Sequence, residues 1–165
     1  MSGGKRFAAD IMVGRLARWL RVLGLNARSV VLSGREVVES LISEGCIPVT
    51  RSRKFRDIDG VAFIRSDRSF EQLLEVISLV SITREEVRPF SRCTLCNARL
   101  VPVAREAVFG AVADYVFETA IDFCRCPDCA RVYWPGSHRR KMIAKLESLT
   151  GWVGLGSEGE QCGAK

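Results

Sequence analysis

The sequence predicts an α/β fold with a mainly parallel sheet, followed by a smaller β module, and three observations lead to this prediction. Residues 6–80 alternate short apolar runs with amphipathic stretches, as in a parallel sheet that is covered by helices. After Thr83 this alternation stops. Two closely spaced cysteine pairs follow, with short β-type runs between them.

The first half of the chain contains its predicted elements in the order β-α-β-α-β-β-α, which favours parallel strands joined by helical crossovers. The strand candidates are residues 6–9, 29–32, 47–50 and 61–64. The helix candidates are residues 11–24, the segment that begins at residue 33, and residues 69–80. Ser33 and Glu36 have the spacing of a capping box. Pro48 argues against a central position for the third strand.

The second half of the chain is expected to form a separate module. Residues 84–92 make a charged connector, and residues 139–149 have the pattern of a short basic helix. The apolar runs at 108–112 and 115–117 are expected to add strand between the cysteine pairs. These features predict a domain at residues 1–85, a second domain at 90–150 and a flexible tail at 151–165.

Charge and hydropathy restrict the kind of partner. The chain has 25 Lys and Arg residues against 19 Asp and Glu, so its formal net charge is +6, which favours a polyanionic partner. No apolar run approaches the ~18–20 residues that cross a bilayer, so no membrane partner is expected. The first residues lack the apolar core of a secretion signal. A cytoplasmic location is therefore expected.

The cysteine spacing predicts a structural zinc site. Cys93 and Cys96 form one Cys-x-x-Cys pair, and Cys126 and Cys129 form a second one. The two pairs are separated by the 29 residues between Cys96 and Cys126. Two such turns supply the four thiolates of a tetrahedral zinc ribbon, with no open position for catalysis. An odd total of seven cysteines argues against a disulfide framework. Cys124 and Cys126 form an alternative pair of ligands with one residue between them. Two residues between the cysteines suit a zinc-binding turn better, so we assign Cys124 to the core or to a spare position.

Asp10 is the first candidate for chemistry. It ends the first strand and precedes a helix, and ligands of open α/β sheets bind beyond the carboxyl ends of the strands. A carboxylate there suits a hard cation such as Mg²⁺ or Mn²⁺. The alternative is that Asp10 only caps the helix that follows it.

The strings GRLARWLRVLG, IPVTRSR, FSRCTLCNARL and FCRCPDCARVYWPGSH together resemble the Mut-seven C-terminal ribonuclease family. The resemblance extends from about Phe7 to about Met142. It implies a PIN-like three-layer α/β/α domain with an appended zinc ribbon, and RNA as the substrate class. It also implies that several carboxylates hold divalent ions, which activate water for phosphodiester hydrolysis.

The chain departs from the family's pattern at several of these carboxylates. Asp10 matches the first acid, whereas Asn26, Gly34 and Ser52 stand where the family usually has others. Since neutral side chains add no charge, cleavage is expected to be weak unless other acids replace them. The candidate substitutes are Glu36, Asp57 and Asp59.

Three basic segments are candidates for RNA contact. They comprise Arg15, Arg18 and Arg21 on the first helix, Arg51, Arg53 and Lys54 after the third strand, and Arg139 and Arg140 after the only histidine, His138. We expect the three arginines of the first helix to fan across one side of it. Each segment alone also fits a solvated face, and His138 also fits a structural role in its turn. Together they favour a track for phosphates.

Two hypotheses for function remain close. One is a metal-dependent ribonuclease that uses Asp10 with Glu36, Asp57 or Asp59. The other is a PIN-like protein that has lost this chemistry and binds structured RNA, either ribosomal RNA or the RNA of a ribonucleoprotein. A weaker third hypothesis is a zinc-ribbon adaptor that contacts proteins.

Overall fold

A four-stranded parallel sheet organises the first half of the chain in the computed structural model, which describes residues 4–156. Its strands are β1 (Arg6–Asp10), β2 (Asn26–Val30), β3 (Cys46–Thr50) and β4 (Ala62–Phe63). The order across the sheet is β2-β1-β3-β4, and every pairing is parallel. The predicted α/β class is confirmed.

Helices cover both faces of this sheet. Helices α1 (Gly14–Val22) and α3 (Ser69–Leu79) share one apolar core with Phe7 and Ala9 of β1. Helix α2 (Arg35–Ser43) packs in a second core on the other face, with Ala8. Because successive strand residues point to opposite faces, this alternation along β1 separates three layers.

Three local predictions need correction. Strand β2 begins at Asn26, three residues earlier than the apolar run suggested, because an edge strand needs no continuous apolar sequence. The capping box was wrong, since Gly34 is the N-cap of α2 and no side chain caps that end. Pro48 does lie in an inner strand, but β4 pairs only with the two residues after it, so β3 has one neighbour at the proline.

The cysteine-containing segment at residues 93–133, which we call the zinc module, contains a small antiparallel sheet. Its strands are β5 (Val101–Val103), β6 (Phe123–Arg125) and β7 (Val132–Tyr133). Strands β5 and β6 do lie between the cysteine pairs, but the expectation that residues 108–112 and 115–117 form strand was wrong. That segment forms a 3-10 turn at Arg105–Val108 and helix α4 (Asp114–Thr119). Its valines and phenylalanines pack in a small core of their own, which a helical turn satisfies as well as a strand does.

The last helix, α5 (Ser137–Thr150), packs against α3 rather than against the zinc module alone. Leu146 and Leu155 are buried in the core shared by α1 and α3, and Trp152 packs against that core. Residues 137–155 thus complete the N-terminal domain, whereas the sequence analysis placed residues 139–149 with the ribbon and residues 151–156 in a flexible tail. The rest of that tail, residues 157–165, lies outside the described residues.

The connector between the two modules is packed rather than loose. The amides of Arg88 and Phe90 donate to the carbonyls of Leu23 and Val22 at the C-terminal end of α1, and Val87 is fully buried. Gly24 makes this approach possible. It has φ +81°, and a Cβ at this position would lie 2.0 Å from the Arg88 carbonyl oxygen. The connector therefore fixes the zinc module against the end of α1.

Candidate functional site

Four cysteine sulfurs converge at the tip of the zinc module. The Sγ atoms of Cys93, Cys96, Cys126 and Cys129 all lie within 4.8 Å of one another. A tetrahedron with Zn–S bonds of about 2.3 Å has sulfur–sulfur edges of about 3.8 Å. The distance from Cys93 Sγ to Cys129 Sγ is 3.8 Å. The four thiols therefore fit a zinc ion, and Cys124, buried in β6, is not part of the group.

The two cysteine turns have the same backbone design. The amides of Cys93 and Cys126 donate to the carbonyls of Ala98 and Arg131, five residues further on in each turn. The fourth residue after each leading cysteine, Asn97 or Ala130, has a positive φ (67° and 58°). Each turn thus points two sulfurs in one direction, and the Cys-x-x-Cys spacing accounts for this geometry.

Hydrogen bonds prepare Cys93 for metal binding. Burial raises the pKa of its thiol, but bonds from the Cys96 amide and the Tyr133 hydroxyl outweigh burial and bring that pKa to about 6. Burial and the contact with Cys93 raise the pKa of Tyr133 to about 12. Its hydroxyl stays protonated, 3.1 Å from Cys93 Sγ, and can donate to a thiolate there.

Arg21 joins α1 to the first cysteine turn. Its Nη1 donates to the carbonyls of Thr94 (3.0 Å) and Leu95 (2.7 Å), the residues between Cys93 and Cys96. Its Nε and Nη2 donate to residues of β2. The side chain is 5% exposed, and this burial lowers its pKa. The expectation that Arg21 fans out with Arg15 and Arg18 toward RNA was therefore wrong.

Asp10 lies at the carboxyl end of β1, as predicted, and is 7% exposed. It does not cap the following turn. Its Oδ2 instead accepts a hydrogen bond of 2.7 Å from Thr50 Oγ1, which in turn accepts one from the Ser52 amide. Within residues 4–156 the cysteines are the one group of three or more side chains arranged to hold a metal ion, and Asp10 belongs to no such group.

The proposed substitute acids lie apart on the surface. Glu36 is exposed on the first turn of α2. Asp57 is exposed and pairs with Arg56 at 3.2 Å, and Asp59 is exposed in the same loop. None of them joins Asp10 in a group of three carboxylates within the described chain.

The three neutral positions noted in the sequence differ in their location. Ser52 lies beside Thr50 and Asp10, and Gly34 precedes α2 at the same edge of the sheet. Asn26 pairs with Arg6 at the opposite edge, where it accepts a hydrogen bond from Asn97 of the zinc module. Its amide therefore serves the contact between modules, far from the Asp10 edge.

A basic cleft of about 900 Å³ opens at the carboxyl ends of the strands. We call it the strand-end cleft. Its charged lining comprises Arg15, Arg18, Arg21, Arg51, Arg68 and Asp67. Asp67 lies four residues beyond the end of β4 and was not among the candidate residues, because the predicted strand at 61–64 ends in the apolar Ile64 rather than in an acid. Arg51 also lines a neighbouring depression together with Arg53, whereas Lys54 stacks on Phe55 at 4.9 Å.

A second cavity of about 1,040 Å³ lies between α1 and the zinc module. We call it the ribbon groove. Its basic lining comprises Arg15, Arg18, Arg131, Arg139, Arg140 and His138. Its aromatic lining comprises Trp19, Phe90, Tyr115, Tyr133 and Trp134. Arg15 and Arg18 line both cavities, so α1 forms the ridge between them.

Comparison with protein families identifies one model that matches this architecture. The Mut7-C RNAse domain matches residues 5–146, which include the sheet, both cysteine turns and most of α5. The chain belongs to the Mut7-C RNAse domain family. Comparisons with curated proteins and with solved structures found no match.

The two metal sites predicted from the sequence differ in how well the described residues fit them. The four convergent sulfurs fit a zinc ion. A zinc ion held by four thiolates would cross-link the two turns and would have no open coordination position for catalysis. The region around Asp10 does not fit the divalent ions of a metal-dependent nuclease. One buried carboxylate, bonded to Thr50, lies beside a cleft whose charged lining is mainly arginine.

None of the helices within residues 4–156 has the length and apolarity required to span a lipid bilayer.

Proposed function

We propose that this Mut7-C chain binds RNA along the strand-end cleft and cleaves it weakly or not at all. The observation that carries the proposal is the balance of charge at the carboxyl edge of the sheet. Arg15, Arg18 and Arg51 face a cleft whose acidic lining, within the described residues, is Asp67 alone. A polyanion is the ligand that such a cleft attracts.

Three cations of the cleft differ from the ion-paired arginines elsewhere on the surface, whereas Arg68, also in its lining, pairs with Glu71 at 3.4 Å. Arg28 and Arg35 pair with Glu44 and Glu39 at 2.8 and 2.7 Å. By contrast, Arg15, Arg18 and Arg51 make no ion pair or side-chain hydrogen bond with any residue between 4 and 156. Their donors are available to phosphate oxygens, which guanidinium groups bind with two parallel hydrogen bonds.

The weakness of cleavage follows from the same edge. Hydrolysis by divalent ions depends on carboxylates that fix the ions, and here Asp10 is bonded to Thr50 while Ser52 and Gly34 occupy neighbouring positions. The zinc site contributes structure, because its four ligand positions are filled by protein sulfur. That the RNA belongs to a ribosome or another ribonucleoprotein stays a prediction.

The test is a titration of a fluorescein-labelled single-stranded RNA by anisotropy at several salt concentrations. We expect binding that weakens with salt and an Arg51→Ala variant that binds less tightly. Its slope of log K against log salt should fall by about 0.7 for each lost phosphate contact. Arg28→Ala is the matched control, because it removes the same charge from an ion-paired surface position.

Two results would overturn the proposal. Equal losses in Arg51→Ala and Arg28→Ala would show that net charge alone attracts the RNA. Rapid Mn²⁺-dependent cleavage that Asp10→Asn abolishes would show that Asp10 supports catalysis and that this chain is a working nuclease.

A further inference from the structure

We infer that the ribbon groove is a second nucleic-acid subsite, in which the bases of a single strand stack on Trp134 and Tyr115 while its phosphates contact the surrounding arginines. This inference rests on the proposed RNA binding and names the part of the RNA that the groove takes.

Exposed aromatic rings are the first argument. Trp134 is 38% exposed and Tyr115 is 74% exposed, and both line the groove. The backbone of Gly136 lies close to the indole of Trp134, since a Cβ on Gly136 would be 3.2 Å from Trp134 Nε1. Flat, solvent-facing rings are suited to base stacking, which every base can provide.

The second argument is the charge around those rings. Arg15, Arg18 and Arg140 have no ion pair or side-chain hydrogen bond in the chain between residues 4 and 156. The described lining of the groove includes no aspartate or glutamate. Arg139, which also lines the groove, stacks over the ring of Phe90 at 4.9 Å and adds a further positive charge. Aromatic faces with unpaired guanidinium groups are the chemistry of sites for single-stranded nucleic acid.

Continuity with the strand-end cleft is the third argument. Arg15 and Arg18 lie three residues apart on α1 and line both cavities. A strand bound at the carboxyl edge of the sheet can therefore cross α1 and enter the ribbon groove without leaving positive charge. Paired bases in a duplex are hidden from flat aromatic surfaces, so the groove should favour a single strand.

The test compares variants in the anisotropy titration with a labelled single-stranded RNA of about 12 nucleotides, a length within the ~4–16 nucleotides that an OB fold covers in other single-strand-binding proteins. We expect Trp134→Ala to weaken RNA binding roughly 5- to 150-fold, because a stacking contact with a base is lost. The salt slope should not change, because the variant keeps every phosphate contact. Trp134→Phe should retain most of the affinity. Arg140→Ala should weaken binding and lower the slope by about 0.7.

The matched control is Phe109→Ala, which removes an aromatic ring that is 78% exposed on the same module but outside the groove. It should leave RNA affinity unchanged. Zinc content and far-UV circular dichroism of each variant report folding. Tyr115→Ala provides a second probe, because its largely exposed ring contributes little to stability. Quenching of tryptophan fluorescence by RNA should be smaller in Trp134→Phe than in the parent chain.

The outcomes separate this inference from the proposed function. If Arg51→Ala weakens binding while folded Trp134→Ala and Tyr115→Ala match the parent chain, the groove is no subsite and RNA binding at the cleft stands. If the parent chain fails to bind RNA, both ideas fail. If polyglutamate competes with RNA as well as unlabelled RNA does, the groove recognises charge alone and base stacking is refuted.

Discussion

Replacing Arg21 by methionine should separate the zinc module from α1, and the size of the effect can be worked out from its contacts. Arg21 donates four hydrogen bonds, of 2.7 Å to Ala27 O, 3.0 and 2.7 Å to Thr94 O and Leu95 O, and 2.9 Å to Ser29 Oγ. Methionine keeps much of the apolar stem but none of these donors.

The expected cost is the balance of two opposing effects. Hydrogen bonds from a charged donor contribute ~1.5–3 kcal/mol each, and the fully buried Ala27 carbonyl would lose the Arg21 bond. Against this, the guanidinium is desolvated in the folded state, and methionine avoids that penalty. We expect a net loss of about 3 kcal/mol, which lowers the Tm of a chain of this size by about 6–12 °C.

The assay is differential scanning calorimetry of the zinc-loaded protein. Arg18→Met is the matched control, because Arg18 lies one turn earlier on α1, is exposed and makes no ion pair or side-chain hydrogen bond with residues 4–156. It should change stability by less than about 0.5 kcal/mol. Zinc release to a chelator should also be faster in Arg21→Met, since a buried cation beside the thiolates is lost. Equal Tm values for the two variants would refute the proposed link.

Two further predictions concern the metal site and an ion pair at the connector. Cys126→Ser should lower the zinc content measured by elemental analysis from about one equivalent to well below it, whereas Cys46→Ser, outside the cluster, should leave it unchanged. Zinc retained in full by Cys126→Ser would contradict the ligand assignment. Hydrogen bonds from Lys5 and from the Thr83 amide hold the pKa of Glu86 below its ordinary value. The ionised Glu86 therefore stabilises the fold at pH values above the unfolded pKa of about 4.3. This stabilisation is lost as the pH falls through the lower pKa of the folded state. Glu86→Gln should therefore cost up to about 1 kcal/mol in urea unfolding at neutral pH, and the difference from the parent chain should disappear in acid; a difference independent of pH would point to another cause.

The sequence predicted the features that depend on local spacing. Two Cys-x-x-Cys turns have a fixed geometry, so the ligand set follows from the letters alone. Asp10 was placed correctly at the end of β1, because an apolar run that ends in an acid before a helix leaves few alternatives. Both features are set by residues within a few positions of one another.

Arg21 shows why the rest required the structure. Arginines at every third position on a helix rotate by about 60° at each step, since three residues fall short of a full turn. Arg21 therefore lies about 120° around α1 from Arg15, and it faces the cysteine turn instead of solvent. The partner carbonyls lie more than 70 residues away in the sequence, and no local pattern reports them.

Helix α4 was missed for a different reason. Val116 and Phe117 are residues typical of strands, yet they lie on a short helix and pack in one core with Val108, Val112 and Phe123. Packing of so small a module decides between helix and strand more strongly than intrinsic preference does.

The burial of Leu146 and Leu155 among residues of α1 and α3 has a consequence for biosynthesis. A ribosome delivers the sheet and its first three helices long before it delivers these two leucines, so the nascent N-terminal half waits with an open apolar face. The cysteine turns, which contact Arg21 of α1 in the folded chain, are synthesised in that interval. All four cysteines thus leave the ribosome before the two leucines, and we expect a chain truncated near residue 136 to keep its metal site while exposing apolar surface to chaperones and proteases.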